Sequence, residues 1–302
     1  MKRPALSVAL ALVLTTVTCI PALGPGDSLV TTTRILAVRA DPAEAAPGTS
    51  ITFTSLVASP DGTVANAGID WSFCTAPKPL TEDNVVSNVC LTTSALVAAG
   101  TGPTTTARTP GNGCSIFGPD VGSAGLRPRD PDGTGGYYQP LRADLGGADS
   151  AFELARIHCD LANADAADAT AFAAAYQLNQ NPQLLPLTAT IGGSPVALTA
   201  IPTGARVTLE ASWPAASAET FAYFDPVSQT VTTQREAMQV AWYSSGGALD
   251  SESTGRAAGD LATTTDDGWD APAAAGTVHL WIVLRDSRGG VDFAGVDLVV
   301  GP

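Results

Sequence analysis

Apolar and polar residues alternate along several short segments of the chain with the period of two that is typical of β-strands. In residues 50–57 (SITFTSLV), Ile51 and Phe53 alternate with threonines, and residues 206–213 (RVTLEASW) repeat the pattern. Pro, Gly and Asp bound these short segments, which favours turns between strands. The pattern therefore predicts an all-β protein built from sandwiches.

A third strand is predicted at residues 277–285 (TVHLWIVLR), and both of its faces are apolar. Leu280 and Ile282 lie on one face, and Trp281 and Val283 lie on the other. A strand that is apolar on both faces is buried on both. We expect it to be central in its sheet or to lie under an interface.

One segment has a helical composition. Residues 163–179 (NADAADATAFAAAYQLN) are rich in alanine, with Asn163 or Asp165 as the N-cap. Phe172 and Tyr176 would lie on one face and pack against neighbouring elements. The Asn-Pro pair that follows would end the helix.

A weak internal repeat suggests two related halves. Residues 69–73 (IDWSF) correspond to residues 240–244 (VAWYS), and a Gly-aromatic-x-x-Pro pattern follows in each half, at residues 136–140 and 268–272. The first half is about 39 residues longer between these landmarks. We therefore predict one insertion in the first half, at about residues 75–135.

The resemblance to a known family begins with these residues. Residues 34–57 (RILAVRADPAEAAPGTSITFTSLV) look like the first two strands of bacterial Ig-like domains, and Trp71 and Trp242 resemble the buried tryptophan of the third strand. Residues 283–300 are similar to the closing hairpin of PKD-type modules. The resemblance implies two tandem Ig-like β-sandwiches with one connecting α-helix, a fold that hosts many functions. The expected boundaries are 34–162 for the first domain, 163–185 for the connector and 186–302 for the second domain.

The N-terminus has the features of an export signal. Lys2 and Arg3 precede an apolar run at residues 5–14, which is too short to span a bilayer. The following Thr-Val-Thr-Cys resembles the lipobox of bacterial lipoproteins, which implies a signal peptide at 1–18 and a diacylglycerol on Cys19. Residues 19–33 would form a tether. The alternative is a cleaved, freely secreted or periplasmic protein.

Charge and length narrow the functional classes. The chain has 302 residues, 15 basic and 29 acidic, for a net charge of −14. Removal of residues 1–18 would take away two basic residues and no acidic one, which changes the net charge to −16. Such an acidic chain cannot neutralise a run of phosphates, so we expect no nucleic-acid partner.

Four cysteines remain once Cys19 is assigned to the lipid: Cys74, Cys90, Cys114 and Cys159. An even number in an exported chain indicates two disulfides. Three pairings are possible and the sequence does not choose among them; we favour Cys74–Cys90 and Cys114–Cys159. None of the cysteines has the spacing of a zinc site, so we expect no metal there.

Candidate chemistry is sparse. No nucleophile elbow, metalloprotease motif or phosphate-binding loop occurs, and we expect His158 and His279 to be structural residues of central strands. The acidic pairs at 82–83 and 266–267 lie in turn-like sequence, which argues against a paired-acid glycosidase. Asp130 and Asp132 are a weak candidate for calcium and otherwise form a turn.

Three aromatic residues offer the other candidate site. Tyr137, Tyr138 and Trp269 follow glycines near the expected loop ends, where they could stack on sugar rings. The alternative is that they close the edge of each sandwich. We therefore expect a non-enzymatic envelope lipoprotein without cofactors, acting as a structural or protein-interaction module with an envelope protein or polysaccharide as partner. The second hypothesis is a carbohydrate-binding surface protein.

Overall fold

The structure is a computed structural model, and it describes residues 27–77, 86–92, 94–119, 133–147, 149–162 and 164–302. The described residues form two β-sandwiches in tandem. The first contains β1 (Arg34–Asp41), β2 (Glu44–Ala45), β3 (Ser50–Ser59), β4 (Gly62–Thr63), β5 (Asp70–Cys74), β6 (Leu96–Thr101), β7 (Thr104–Arg108), the helix α1 (Gly113–Phe117), β8 (Gly136–Asp144) and β9 (Ser150–His158), with a 3₁₀ turn at Asn88–Leu91.

The helix α2 (Ala166–Ala175) leads to the second sandwich. The elements that follow are β10 (Thr188–Ile191), β11 (Ser194–Pro195), β12 (Ile201–Pro202), β13 (Arg206–Ser212), a 3₁₀ turn at Ala215–Ser217, β14 (Thr220–Asp225), β15 (Thr230–Arg235), β16 (Met238–Ser244), β17 (Ala248–Leu249), β18 (Ser253–Arg256), β19 (Thr264–Asp270), β20 (Gly276–Asp286) and β21 (Val291–Gly301). Strands β14 and β15 pair with each other as a separate two-stranded hairpin, and the other strands form the two sheets of the second sandwich.

Both sandwiches have the same strand topology, which confirms the Ig-like fold. In the first, β1, β3 and β7 pack against the sheet β2-β9-β8-β5-β6; in the second, β10, β13 and β19 pack against β12-β21-β20-β16-β18. In each, a two-residue strand pairs in parallel with the last strand, and the other main pairs are antiparallel. This combination is typical of Ig-like sandwiches.

Each core is organised around the tryptophan that the sequence singled out. Trp71 on β5 and Trp242 on β16 occupy equivalent places and are fully buried. Their indole N–H groups donate to Gly102 O at 2.7 Å and to Thr254 Oγ1 at 2.9 Å. A buried indole needs such a partner, and these bonds fix both rings inside their sandwiches.

The shared topology corrects the repeat and its insertion. Residues 136–140 lie in β8, which is equivalent to β20, whereas residues 268–272 begin in β19, which is equivalent to β7. The two Gly-aromatic patterns therefore do not correspond. The predicted insertion at 75–135 is also wrong as a single unit, because β6 and β7 inside it are regular strands of the sandwich.

The extra length instead forms two excursions, one between β5 and β6 and one between β7 and β8. Each excursion carries one cysteine. Cys90 of the first is bonded to Cys74 at the end of β5, and Cys114 of the second is bonded to Cys159 after β9. Both favoured pairings are therefore present, and each attaches an excursion to its sandwich.

The helix is shorter than expected and ends for a different reason. Asp165 is its N-cap, accepting bonds from the N–H groups of Ala167 and Asp168. Phe172 is buried against the hairpin β14–β15. The chain leaves the helix at Tyr176, well before the Asn-Pro pair, because Tyr176 and the residues after it bond to the first sandwich.

Candidate functional site: the joint between the sandwiches

The two sandwiches are packed side by side through their outward sheet faces. Trp281 and Val283 of β20 are fully buried against Leu36 of β1 and Leu56 of β3. The indole N–H of Trp281 donates to Oγ1 of Thr63 at 2.8 Å. Strand β20 is central in its sheet, one of its faces is buried in its own core and the other is buried against the first sandwich. The sequence predicts burial of both faces but does not identify the surface that covers the second. We call the contact between the sandwiches, including the connector 176–184, the interdomain joint.

The segment before β1 also belongs to this joint. Residues 28 and 30 exchange backbone hydrogen bonds with Ser244 at 2.9 and 2.8 Å, and Val30 is buried. The expected tether at 19–33 is thus partly wrong: its described end, from residue 27, lies against the second sandwich and is not a free spacer. Apolar burial at Val30 accounts for this position.

A buried ion pair binds the connector to the first sandwich. Glu44 of β2 and Arg156 of β9 are fully buried, with Arg156 Nε 3.1 Å from Glu44 Oε2. The Tyr176 hydroxyl donates to Glu44 Oε1, and the backbone N–H of Asn179 donates to Oε2 at 2.8 Å. Buried ions are tolerated only when their remaining hydrogen-bonding capacity is satisfied. For Glu44, the connector donates these hydrogen bonds through Tyr176 and Asn179.

Arg288, in the turn between β20 and β21, organises the other half of the joint. Its Nε donates to Glu236 Oε1 at 2.7 Å and its Nη2 to Glu219 Oε2 at 2.8 Å. Its Nη1 donates to the carbonyl of Gln177 in the connector at 3.0 Å. The guanidinium carbon lies 4.7 Å from the ring centroid of Phe221, within cation–π range.

The amide side chains of Asn179 and Asn181 also connect the halves of the joint. Asn179 is buried and donates through Nδ2 to Asp286, 3.3 Å from Oδ1. The Asn181 amide donates to Ala40 O at 2.7 Å and accepts from the N–H of Val291 at 2.9 Å, so it contacts both sandwiches. The joint is therefore a continuous polar network beside an apolar contact.

Several carboxyl groups in or near the joint have raised pKa values. Burial raises the pKa of Glu236 to about 7, with the charge of Asp286 adding to the shift and Arg288 opposing it. Burial also raises the pKa of Asp286. In the first sandwich, burial raises the pKa of Glu153 to about 7, opposed by Arg285 from the second sandwich. Glu236 and Asp286 make the joint at the connector sensitive to protonation, whereas Glu153 is a separate group on β9 of the first sandwich.

An open groove of about 670 Å³ runs along the joint. Its walls are the turn between β1 and β2 and the connector. Amide side chains dominate the connector wall, and Leu178 is 48% exposed there. The groove is lined by Arg39, Asp41, Pro42, Ala43, Glu44, Gln177, Leu178, Asn179, Gln180 and Asn181.

The three candidate ligand aromatics do not form a common site. Trp269 is fully buried in the second core, and its indole N–H donates to Gly246 O at 3.0 Å. Tyr137 is buried beside the Cys114–Cys159 disulfide. Tyr138 is half-buried, with its ring centroid 5.9 Å from the guanidinium carbon of Arg156. Trp269 cannot stack on a sugar from inside the core, so the prediction that it is a ligand-binding aromatic is wrong. Its role is to pack the second core.

The remaining candidates show no catalytic arrangement in the described part of the chain. Asp266 and Asp267 lie within β19 rather than in a turn, and they point to opposite faces: Asp266 is exposed and Asp267 is buried. His279 lies on β20, which is central in its sheet, and its Nδ1 is 2.7 Å from Asp297 Oδ1. His158 is exposed at the end of β9, and its ring contacts Tyr176. Asp266 and Asp267 are thus not a paired-acid site.

Metal and membrane features can be assessed only for part of the chain. Among the described residues, no group of three or more His, Cys, Asp or Glu side chains could hold a metal ion. No helix in those residues is both long enough and apolar enough to cross a bilayer. Cys19, Asp130, Asp132 and the acidic pair at 82–83 lie outside the described residues.

Sequence reasoning missed the residues that make the joint. Arg156, Arg288 and Glu44 carry no motif, and their partners are distant in the sequence. One local signal was available, the amide-rich run QLNQNPQ at 177–183 in the connector. Residues 286–290 (DSRGG) read as an ordinary turn, and nothing in that sequence indicates that its arginine is buried.

Comparison with known proteins gives a weak fold likeness. No protein-family model matches the sequence, and no curated protein matches it. Among solved structures, the D00-D0 domain of intimin is 12% identical, with 85% of this chain and 95% of that chain covered and a TM-score of 0.25.

Two further structures score similarly. The fibronectin(III)-like modules of Clostridium thermocellum CbhA are 13% identical, with 91% of this chain and 92% of that chain covered and a TM-score of 0.24. The Yersinia pseudotuberculosis adhesin InvE is 13% identical, with 91% of this chain and 61% of that chain covered and a TM-score of 0.24. The assignment to Ig-like sandwiches therefore rests on the strand topology described above.

Proposed function

We propose that this protein is a non-enzymatic, exported envelope lipoprotein that acts as a rigid two-domain structural or interaction module. The observation that carries the proposal is the interdomain joint. An apolar contact and a buried polar network fix the orientation of two sandwiches that a flexible linker would leave free. A fixed orientation presents the distant loops of both sandwiches at a constant spacing to a partner.

The sequence supports the location. The charged n-region, the short apolar run and the lipobox-like residues before Cys19 favour export and lipid attachment. Two disulfides in the first sandwich fit an oxidising compartment outside the cytoplasm. The partner would be an envelope protein or a polysaccharide.

Membrane fractionation tests the anchor. The Cys19→Ala protein should move from the membrane fraction to the soluble fraction, because a thioether-linked lipid needs the thiol. Thr18→Ala keeps the thiol and brings the lipobox-like site closer to its usual pattern, so it should stay with the membrane. A wild-type protein that is already soluble would contradict lipid anchoring.

The carbohydrate-binding hypothesis is less well supported, because two of its three aromatics are buried. A glycan array tests it directly. Binding that is lost in Tyr138→Ala would favour carbohydrate recognition. Absence of any glycan signal, together with specific cross-linking to one envelope protein, would favour the structural or protein-interaction role.

A further inference from the structure

The buried part of the joint contains more carboxyl groups than it can keep ionised. Glu236, Asp286 and Arg288 are 0%, 7% and 2% exposed, so two acids are buried together with one guanidinium. If both acids were ionised, one negative charge would remain uncompensated in a poorly solvated space. Such a charge is costly, and a carboxyl group in that position takes up a proton instead.

The hydrogen bonds indicate which oxygen can hold the proton. Both oxygens of Glu236 are engaged, by Arg288 Nε at 2.7 Å and by the N–H of Glu219 at 2.8 Å. Asp286 Oδ1 accepts from the N–H groups of Arg288 and Gly290, each at 2.8 Å. Asp286 Oδ2 has only the longer contact with Asn179 Nδ2, at 3.4 Å. Asp286 Oδ2 is therefore the oxygen best placed to carry a hydrogen.

Asp286 Oδ2 also lies at the connector. A methyl group placed on Gly290 would come within 2.0 Å of this oxygen and within 2.8 Å of the carbonyl of Gln180. The carboxyl oxygen and the connector carbonyl thus border the same small space beside Gly290. Repulsion between them would follow if Asp286 were ionised, because both are then acceptors only.

The other charged groups around Asp286 do not supply the missing positive charge. Glu219, before β14, adds a third carboxylate and is partly solvated. Beyond Asn179, Glu44 of β2 and Arg156 of β9 neutralise each other, and Tyr176 donates to that pair.

Arg285 is the neighbour of Asp286 on β20. Its guanidinium bonds to Leu36 O of the first sandwich, at 3.4 Å from Nη2. Its positive charge also opposes the rise in the pKa of Glu153, which lies in the first sandwich. Within the described part of the joint, the Arg288 guanidinium bonds to Glu236 and Glu219, and Asp286 accepts from the backbone N–H of Arg288.

We infer that Asp286, Glu236 and Arg288 form a proton-binding site that keeps the connector closed on the second sandwich while one proton is bound. When the proton leaves Asp286 Oδ2 for solvent, two buried carboxylates remain with a single guanidinium to balance them. Opening of the joint then lets water solvate them. The external pH of an exported protein would thereby set how tightly its two domains are held.

The direction of the raised pKa values agrees with this inference. Burial raises the pKa of Glu236 to about 7 and raises that of Asp286 as well. A carboxyl group with a higher pKa in the closed state binds its proton more tightly there than in the open state. Closure is therefore favoured at acidic pH and is weakened as the pH rises towards 7.

Hydrogen exchange across a pH series tests the inference, with rates corrected for intrinsic exchange. In the wild-type protein, protection of the connector amides of Asn179 and Gln180 should fall by up to about tenfold per pH unit between about pH 5 and pH 7. Asp286→Asn imitates the protonated acid and should remove this slope. Glu236→Gln should also remove it, because Asp286 is then the one buried acid left beside Arg288, and Glu219 is partly solvated.

Glu153→Gln is the matched control, since it removes a partly buried carboxyl group with a raised pKa outside the cluster and should leave the connector slope intact. A flat wild-type profile would overturn the inference. So would a slope that persists in both Asp286→Asn and Glu236→Gln. If Asp286→Asn does not fold, the wild-type profile and Glu236→Gln still decide the question.

Discussion

Four groups from different elements converge on the side chain of Arg288. They are two carboxylates, a connector carbonyl and the Phe221 ring. A buried guanidinium of this kind adds little net stability compared with an apolar replacement. Its loss is nevertheless costly, because the carboxylates stay buried without a partner. Arg288 therefore fixes one arrangement of the joint and makes other arrangements unfavourable.

Arg288→Ala should lower the free energy of unfolding by about 3–5 kcal/mol, the usual cost of removing one partner from a buried ion pair. Urea denaturation followed by fluorescence measures this loss. Arg206→Ala is the control, because Arg206 pairs with Asp250 and Asp270 on the exposed surface and its removal should change stability very little. Equal effects of the two substitutions would refute the role of Arg288.

Glu153 makes stability depend on pH. Its pKa is about 7 in the folded protein against 4.5 for an unperturbed carboxyl group. A raised acid pKa means that the folded state binds the proton more tightly, so stability is fully present below about pH 4.5 and falls as the pH rises to about 7. The loss is on the order of 3 kcal/mol.

Thermal unfolding between pH 4.5 and pH 8 checks this dependence. Glu153→Gln should flatten part of the decline in Tm, while Glu236 contributes the rest with the same sign. Asp61→Asn, at an exposed turn position, should leave the profile as in the wild type. A Tm that rises over this range would show that burial of Glu153 is not the governing effect.

Individual residues were predictable where one local pattern determined their environment. Trp71 and Trp242 are buried in the cores, as the resemblance to Ig-like domains implies, and Asp165 is the N-cap out of the two that the sequence offers, Asn163 and Asp165. The prediction of an exposed Trp269 fails because a Gly-aromatic pair is typical of a loop end, whereas β19 continues through Gly268 and Trp269. Glu44, Arg156 and Arg288 could not be found, because charged residues are rarely buried and only tertiary contacts explain them.

The two excursions of the first sandwich depend on covalent attachment. Cys74 and Cys90 are 16 positions apart in the sequence, and Cys114 and Cys159 are 45 positions apart. Cross-links of this length restrict the unfolded chain and typically stabilise by about 3–4 kcal/mol each. The second sandwich has no cysteine and depends on its apolar core, which contains Trp213, Trp242 and Trp269.

Reduction should therefore affect the two sandwiches differently. With dithiothreitol present, hydrogen exchange in β5 and β9 should accelerate strongly, while exchange in β13 and β16 should change much less. The double variant Cys114→Ser with Cys159→Ser should reproduce the effect around α1 and β9. Uniform acceleration in both sandwiches would contradict this division of stabilising interactions.

Strand β20 couples the sandwiches because its two faces have different partners. Leu280 faces the second core and Trp281 faces the first sandwich. The sequence predicts this strand and its buried second face, because seven consecutive positions from 278 to 284 are apolar apart from His279. The sequence could not identify the opposing surface, since Leu36 and Leu56 come from strands whose alternation alone does not mark an interface.

Trp281→Ala should separate the unfolding of the two sandwiches. Its removal costs about 3–5 kcal/mol of packing, and calorimetry should then resolve two transitions where the wild type has one. Leu280→Ala on the same strand should destabilise the second core and lower the Tm, and calorimetry should still show a single transition. Identical calorimetric profiles for both variants would refute the distinct roles of the two faces.

The arrangement of the two sandwiches follows from surfaces rather than from the linker. The N-terminal segment, β1, β3 and the connector all contact the second sandwich. The all-β fold and the helix between the sandwiches could be predicted, because they depend on local periodicity. The single-insertion interpretation and the free tether failed, because strand pairing and the packing of Val30 are long-range effects. We therefore expect the tandem to behave as one rigid body.

Small-angle X-ray scattering of the purified full-length exported protein tests this central claim most directly. At pH 5.5, the account predicts a profile that one fixed side-by-side arrangement of the sandwiches fits, without averaging over domain orientations. A profile that requires an ensemble of independently moving domains at this pH would contradict the account.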